Sequence, residues 1–422
     1  MARFVQNTAE VARALAGLLA PAHRLYPADR QVPRLMLLDG LRGLAAVAVL
    51  FFHYRHFLYP PGTFRSPGIA GRVPLESLLG PLYELGHFGV QLFWMISGFV
   101  FAAVYYGRPA TSREFVVNRF ARLYPLHFAT LLVVAAEQWA ASLRFGTPLL
   151  FTHNDPAHFL LQLGFASDWL ASTGMSFNGP IWSVSVEVAA YALFWLTRRW
   201  LPGLGLAGPL ALAAAMTVLR REVGGTEVFA CGFHFFLGVA LCAIWRSFAA
   251  LPRLLLGAGL AAMALGAAGL ARIDPRETEI VAVVLLPLLL GGLILALVAA
   301  DPFAPAWLRR ALGALGDRTY SIYLVHVPVQ LALFLVLGAR VSGLAGQCWF
   351  LALFLGLVLA LAWPCYHWFE APARDWLRRY ARAQRRAARA PVLPAGQGLA
   401  AAGRGWHKDS ASQSAVFRGV DS

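Results

Sequence analysis

An arginine and a histidine eleven residues apart offer the first chemistry in this chain. Arg42 lies in Leu38-Asp39-Gly40-Leu41-Arg42-Gly43 and His53 in Phe51-Phe52-His53-Tyr54, with apolar residues between them. At about 100° per residue, eleven positions make three turns plus about 20°, so on a helix the two side chains share a face about 16 Å apart along the axis. An imidazole with an ordinary pKa of about 6.5 can take the proton of a hydroxyl near neutral pH. A guanidinium supplies fixed donors and a permanent charge. Taken alone, His53 also reads as a structural histidine bonded to a neighbouring helix, and the co-facial Arg42 tips the balance toward chemistry.

Other polar residues sit in equally apolar surroundings. Arg119 and Arg122, in Arg119-Phe120-Ala121-Arg122-Leu123-Tyr124-Pro125, are three apart and share a helix face. They form either a clamp for a phosphorylated ligand or ordinary interfacial anchors. Glu187 follows Trp182-Ser183-Val184-Ser185-Val186 and needs an Arg or His partner to stay charged. Ser97 and Gly98 permit close helix packing, and His234, His326 and Glu370 lie in further apolar segments.

The segments that must position these groups dominate the composition. Of 422 residues, 59% are hydrophobic and only 14% charged, against about 25% charged in a soluble domain. Runs of about 20 apolar residues recur along the chain, which defines an all-α, polytopic membrane protein with about ten transmembrane helices. The spans are expected near 36–58, 85–106, 119–141, 182–198, 204–220, 227–245, 252–272, 278–299, 318–338 and 347–370, 204–220 being short and rich in Gly, Ala and Pro. The largest extramembrane insert is expected at 142–181. Titratable groups inside such spans cost roughly 2.5–3.5 kcal/mol each on insertion scales, so each one present calls for a reason.

The net charge of +15 is spread through loops and tails (Arg108 and Arg113, Arg198 and Arg199, Arg246 and Arg253, Arg309 and Arg310, Arg374 to Arg386). Such scatter argues against nucleic-acid binding and, by the positive-inside rule, places both termini in the cytoplasm. Residues 1–34 form an N-terminal arm, Thr8 to Leu19 being either an amphipathic surface helix or a disordered stretch. Arg13 interrupts the apolar run that a cleavable signal would need. The transmembrane domain covers 35–380, and 381–422 reads as a disordered basic cytoplasmic tail. Cys231, Cys242, Cys348 and Cys365 have no metal-ligand spacing and read as small packing residues, so no metal is expected.

The ordered set LDGLRGLAAVAVLFFH, GHFGVQLFWMISGFV, RFARLYP, IWSVSVEVAAYALFW, FHFFLGVAL, LGDRTYSIYLVHVPV and HWFEAPARDWL resembles the membrane acyltransferase 3 family, the bacterial O-acyltransferases of surface glycans and some small molecules. The resemblance implies an acyl-CoA donor, usually acetyl-CoA, a carbohydrate or glycolipid acceptor, and a place in the bacterial inner membrane. It makes His53 catalytic with Arg42 as its partner and Glu187 a supporting acid. It places Arg119, Arg122, Ser97 and His326 among the donor-binding elements. Gln91 stands where the family usually has an acid, and Cys231 and His234 replace an expected Arg and acid.

On this reading acyl-CoA enters from the cytoplasm, its phosphates met by Arg119 and Arg122, and His53 activates the acceptor hydroxyl. Transfer is direct or passes through an acyl-enzyme, and Glu187 orients His53 if their helices are neighbours. A transporter or flippase for a lipid-linked glycan or small anion would use the same buried charges as a path. A non-catalytic scaffold leaves the Arg42–His53 spacing unexplained.

Overall fold

In a bilayer the backbone has only itself to hydrogen-bond, which leaves helices as the form available to long apolar segments. The computed structural model describes residues 2–19, 33–59, 72–106, 109–169, 174–224, 227–273 and 278–389, and among these it contains helices and no strand. The chain divides into two compact units, 1–377 and 378–422. The described part of the second is the remainder of its last helix, to Arg389.

In order, the helices are α1 (Ala2–Leu19), α2 (Met36–Tyr54, with a 3-10 turn to Leu58), α3 (Glu76–Leu85), α4 (Gly89–Tyr105), α5 (Ser112–Phe145), α6 (Pro156–Leu163), α7 (Ile181–Thr197), α8 (Ala207–Val223), α9 (Val228–Ser247) and α10 (Pro252–Leu270). They continue with α11 (Thr278–Ile280), α12 (Leu286–Ala300), α13 (Ala306–Asp317), α14 (Thr319–Leu337), α15 (Arg340–Leu344), α16 (Cys348–Pro364) and α17 (Ala371–Arg389). Each of the ten expected spans falls on a helix. Eight helical segments are long and apolar enough to cross a membrane: Met36–Leu58, Glu76–Tyr105, Ser112–Phe145, Val228–Ser247, Pro252–Leu270, Val281–Phe303, Thr319–Leu337 and Cys348–Gln384. Ile181–Thr197 is apolar but, at 17 residues, shorter. The protein is therefore an all-α, multi-pass membrane protein.

One feature decides between the two readings of the N-terminal arm, and two depart from the sequence reading. Residues 2–19 are helical, and the Leu206 N–H donates to the Leu18 carbonyl at 3.0 Å. The last span runs on as helix to Arg389, so only 390–422 of the expected tail, like Arg108 among the orienting arginines, lies outside the described residues. The segment after α12 also folds into a helix, α13, which lies along the start of α2. Gly40 and Gly43 face Leu312 and Leu315 there, and a Cβ on Gly316 would collide with the Asp39 backbone. Arg34 ties the two helices together, 2.7 Å from Asp39 and 2.6 Å from Asp317. Just ahead of α13, Asp301 accepts the Leu37 N–H at 2.8 Å. It thus caps α2, whose own N-cap, Leu35, has no side chain able to do so.

Close helix approaches set the register of the rest. α4 and α9 run parallel, Trp94 beside His234 and Phe99 beside Trp245. They touch where a Cβ on Gly98 or Gly238 would strike the Phe235 or Met95 carbonyl. The 142–181 insert does not float free. Leu149, Leu150, Phe151 and Phe177 are buried against Leu131 and Val134 of α5 and Val327 and Leu331 of α14. Four non-glycine residues of this insert, Leu150, Phe165, Asp168 and Phe177, adopt positive φ, a conformation that costs of order 1–3 kcal/mol each and is held by surrounding contacts. Asn178 supplies one of them. Pro328 has no N–H to give the Leu324 carbonyl four residues back, and the Asn178 side-chain amide donates to that carbonyl at 3.1 Å and to Thr130 Oγ1 at 3.1 Å.

Candidate active site

The polar interior forms two centres with a short hydrogen-bonded run between them. At one centre, His53 near the end of α2 is 7% exposed, and its ring lies 4.8 Å from that of His326 on α14 and 4.9 Å from that of His56. Gln330, one turn beyond His326, donates from Nε2 to the His53 carbonyl at 2.8 Å and locks α14 to α2 at this level. Phe151 of the insert closes over His56, with ring centroids 6.0 Å apart. His53 Nδ1 is buried without a hydrogen-bond partner.

The other centre gathers Arg42 of α2, Arg119 and Arg122 of α5, and Glu187 of α7. A capping box starts α5: Thr111 Oγ1 accepts the Glu114 N–H, and Glu114 accepts the Thr111 N–H. This fixes the first turn and, two turns on, the two arginines. Arg119 stacks its guanidinium over Phe101 at 4.8 Å, an arrangement that holds a planar cation in place. Arg122 donates to Glu370 at 2.8 Å, and Ser321 donates to the other oxygen of Glu370 at 2.6 Å. Glu370 reaches inward because Cys365–Glu370 form a π turn between α16 and α17. Arg42, Arg119 and Arg374 all lie within electrostatic reach of Arg122. The Nε atoms of Arg42 and Arg119 are buried with no hydrogen-bond partner.

Between the centres, Tyr323 and Ser183 share a hydroxyl hydrogen bond of 2.7 Å. Trp94 donates its indole N–H to the Ser183 carbonyl at 3.2 Å, and the Tyr323 carbonyl meets His326 Nδ1 at 2.7 Å.

The structure therefore separates residues that the sequence reading had paired. Glu187 belongs to the arginine centre, where it faces the hydroxyls of Ser97 and Tyr191 and the charges of Arg42 and Arg119. The titratable neighbours of His53 are His326 and His56. One helix face puts Arg42 and His53 about 16 Å apart, so a carboxylate level with Arg42 does not reach the imidazole. Ser97 sits with Glu187 as part of the same centre. His326, placed with the donor-binding set by sequence, lies instead against His53. Arg122 shares its charge with Glu370 and is not an isolated clamp. His234 bonds through Nδ1 to the Ala230 carbonyl at 2.9 Å, leaving Nε2 buried and unpartnered, and Gln91 Oε1 is likewise buried without a partner. Among the described residues, no group of three or more His, Cys, Asp or Glu is arranged to hold a metal ion.

His56, Gln330 and Tyr191 escaped the sequence reading. His53-x-x-His56, His326-x-x-x-Gln330 and Glu187-x-x-x-Tyr191 are one-turn spacings that put each beside a residue already singled out.

The fold and site are thus those of a multi-pass helical membrane protein with a buried imidazole centre at one level and a buried guanidinium centre at another. The acyltransferase domain of the acyltransferase 3 family matches residues 37–368, and the chain belongs to that family. It is similar to acyltransferase MdmB of Streptomyces mycarofaciens, 28% identical over 330 residues covering 71% of this chain and 80% of that protein. It is also similar to exopolysaccharide production protein ExoZ of Rhizobium meliloti (strain 1021), 27% identical over 319 residues covering 72% and 94%. Protein 2 in the picA locus of Rhizobium radiobacter is 32% identical over 181 residues, 40% of this chain and 82% of that protein. No solved structure matches significantly. The protein is a membrane acyltransferase.

Proposed function

We propose that this acyltransferase moves an acyl group, acetyl in the simplest case, from acyl-CoA to a hydroxyl of a carbohydrate or cell-surface glycan. The observation that carries the proposal is that Arg42 and His53, on one face of α2, each carry a buried side-chain nitrogen (Nε and Nδ1) with no hydrogen-bond partner. Burying a polar group without a partner costs about 1–3 kcal/mol, a cost recovered when a ligand supplies one. The likeness to an exopolysaccharide production protein supports a glycan acceptor.

With both termini in the cytoplasm of a bacterial inner-membrane protein, the Arg42, Arg119 and Arg122 end faces the compartment that holds acyl-CoA. Unpaired guanidinium donors there suit the donor's phosphates. The pantetheine arm then follows the Arg42–His53 face toward the imidazole centre. His53 takes the proton of the acceptor hydroxyl as its oxygen bonds to the thioester carbon. The carbon–sulfur bond breaks, and the thiolate recovers the proton from His53. Glu187, held by Ser97 and Tyr191, keeps Arg42 and Arg119 oriented.

The test is thiol release from acetyl-CoA by purified protein in native lipid. His53→Ala, folded as judged by its melting temperature, is expected to lose transfer by at least about 100-fold. Arg119→Gln is expected to raise the KM for acetyl-CoA about 10-fold, the worth of one hydrogen bond to a charged group, with a smaller effect on kcat. Wild-type turnover by folded His53→Ala would overturn the proposal. Glycan flux without acyl-CoA consumption would point to transport instead.

A further inference from the structure

We infer that His326 is the positioning residue of His53, the part a carboxylate plays in many hydrolases. The inference rests on the acyl-transfer reading above. Its first support is the tautomer of His326. The Nδ1 atom lies 2.7 Å from the Tyr323 carbonyl oxygen. A carbonyl oxygen only accepts, so Nδ1 of the neutral ring carries the proton and Nε2 presents a lone pair. That Nε2 is buried, on a residue with no exposed surface, and has no hydrogen-bond partner.

The second support is the apposition of the rings. Their centroids are 4.8 Å apart and their planes inclined by 51°. The backbone holds this approach, because Gln330 on α14 donates to the main-chain carbonyl of His53 itself. The third is that, among the described residues, no carboxylate takes the role. The titratable groups that act on His53 are His326 and His56, and Glu187 is engaged with Arg42, Arg119, Ser97 and Tyr191.

An acceptor fixed beside His53 selects its tautomer. The bond is not made in this structure, where Nε2 has no partner; in the reacting complex the His53 nitrogen turned to His326 bears hydrogen and donates to Nε2, which leaves the opposite nitrogen free to receive the hydroxyl proton. When that proton arrives, the imidazolium of His53 is stabilised through the same N–H. His326 remains neutral throughout. The proton moves from the acceptor oxygen to His53 and then to the coenzyme A sulfur, the carbon–oxygen bond forms and the carbon–sulfur bond breaks.

Two substitutions separate this role from a structural one. Asn places a donor near the Nδ1 position and keeps the bond to Tyr323 while removing the Nε2 acceptor. Gln reaches the Nε2 position with an amide oxygen but gives up the Nδ1 donor. In membrane vesicles carrying the full chain, radiolabelled acetyl-CoA and the vesicles' own glycolipid would report transfer. His326→Asn is expected to fall about 100-fold in maximal rate with an unchanged KM for acetyl-CoA. His326→Gln is expected to retain at least about 10-fold more activity than His326→Asn. A merely structural histidine gives the reverse order, and that result, or equal rates for the two, overturns the inference. Should His326→Asn fail to fold, His326→Gln against His326→Ala makes the same comparison, equal rates again overturning it. If wild-type vesicles label no acceptor and match His53→Ala, it is the acyl-transfer reading that fails, and the assignment of His326 falls with it.

Discussion

Arg122 and Glu370 are 248 residues apart in sequence and 2.8 Å apart in the fold. Glu370 is 2% exposed and Arg122 19%, and the second carboxylate oxygen is taken by Ser321. The pair joins α5 to the turn after α16 and to α14, at the level where Arg42 and Arg119 offer unpaired donors.

Removing one partner of such a pair strands the other charge. Glu370→Gln is expected to destabilise the protein by about 3–5 kcal/mol, read as a lowered melting temperature in detergent. The double variant Arg122→Met with Glu370→Met should recover most of that stability, because two matched apolar side chains carry no desolvation penalty, while donor affinity stays impaired. A double variant as unstable as Glu370→Gln would show that the pair is not an isolated unit.

The contact between α2 and α13 leaves no room for a methyl group. Gly316→Ala would press a Cβ onto the Asp39 backbone and should cost about 1–3 kcal/mol by overpacking. Because the displaced helix carries Arg42, the KM for acetyl-CoA should rise together with the loss of stability. A variant that melts as the wild type and binds donor normally would contradict this account.

Asn178 answers a vacancy created by Pro328. Asn178→Ala should cost about 1–3 kcal/mol by orphaning the Leu324 carbonyl. In a Pro328→Ala background, where the helix supplies its own N–H, the same substitution should cost measurably less. Equal costs in both backgrounds would remove the link.

Asp155 gives the insert a pH dependence of its own. It caps α6, accepting the His158 N–H at 3.0 Å. That backbone bond, with the His158 side chain, holds its carboxyl below the ordinary value of 3.8. A depressed carboxyl stabilises above its unfolded value and loses that contribution as pH falls through the folded one. Amide protection of α6 should therefore persist at neutral pH and decline between about pH 5 and pH 1. Asp155→Asn should show no such decline.

The bundle and half of its chemistry are local properties and were legible along the chain. Apolar runs specify helices because a membrane leaves the backbone no other partner, and the 3.6-residue period alone puts Arg42 and His53 on one face. The same period places Arg119 beside Arg122. Which helix lies next to which, and at what height, is written in no single stretch. It emerges from close contacts such as Gly98 and Gly238 between α4 and α9, and from the Gln330 bond between α14 and α2. Those contacts put Glu187 level with Arg42 rather than His53, turned Glu370 onto Arg122, and brought His326 to His53. Helix α13 was also hidden, being too short and too polar for a span, and visible only once Gly40 and Gly43 of α2 met Leu312 and Leu315, and Gly316 met Asp39. Sequence thus determined which residues had to be held inside the membrane, and tertiary structure decided their partners, because a charge buried at low dielectric pairs with whatever group the helix register sets beside it.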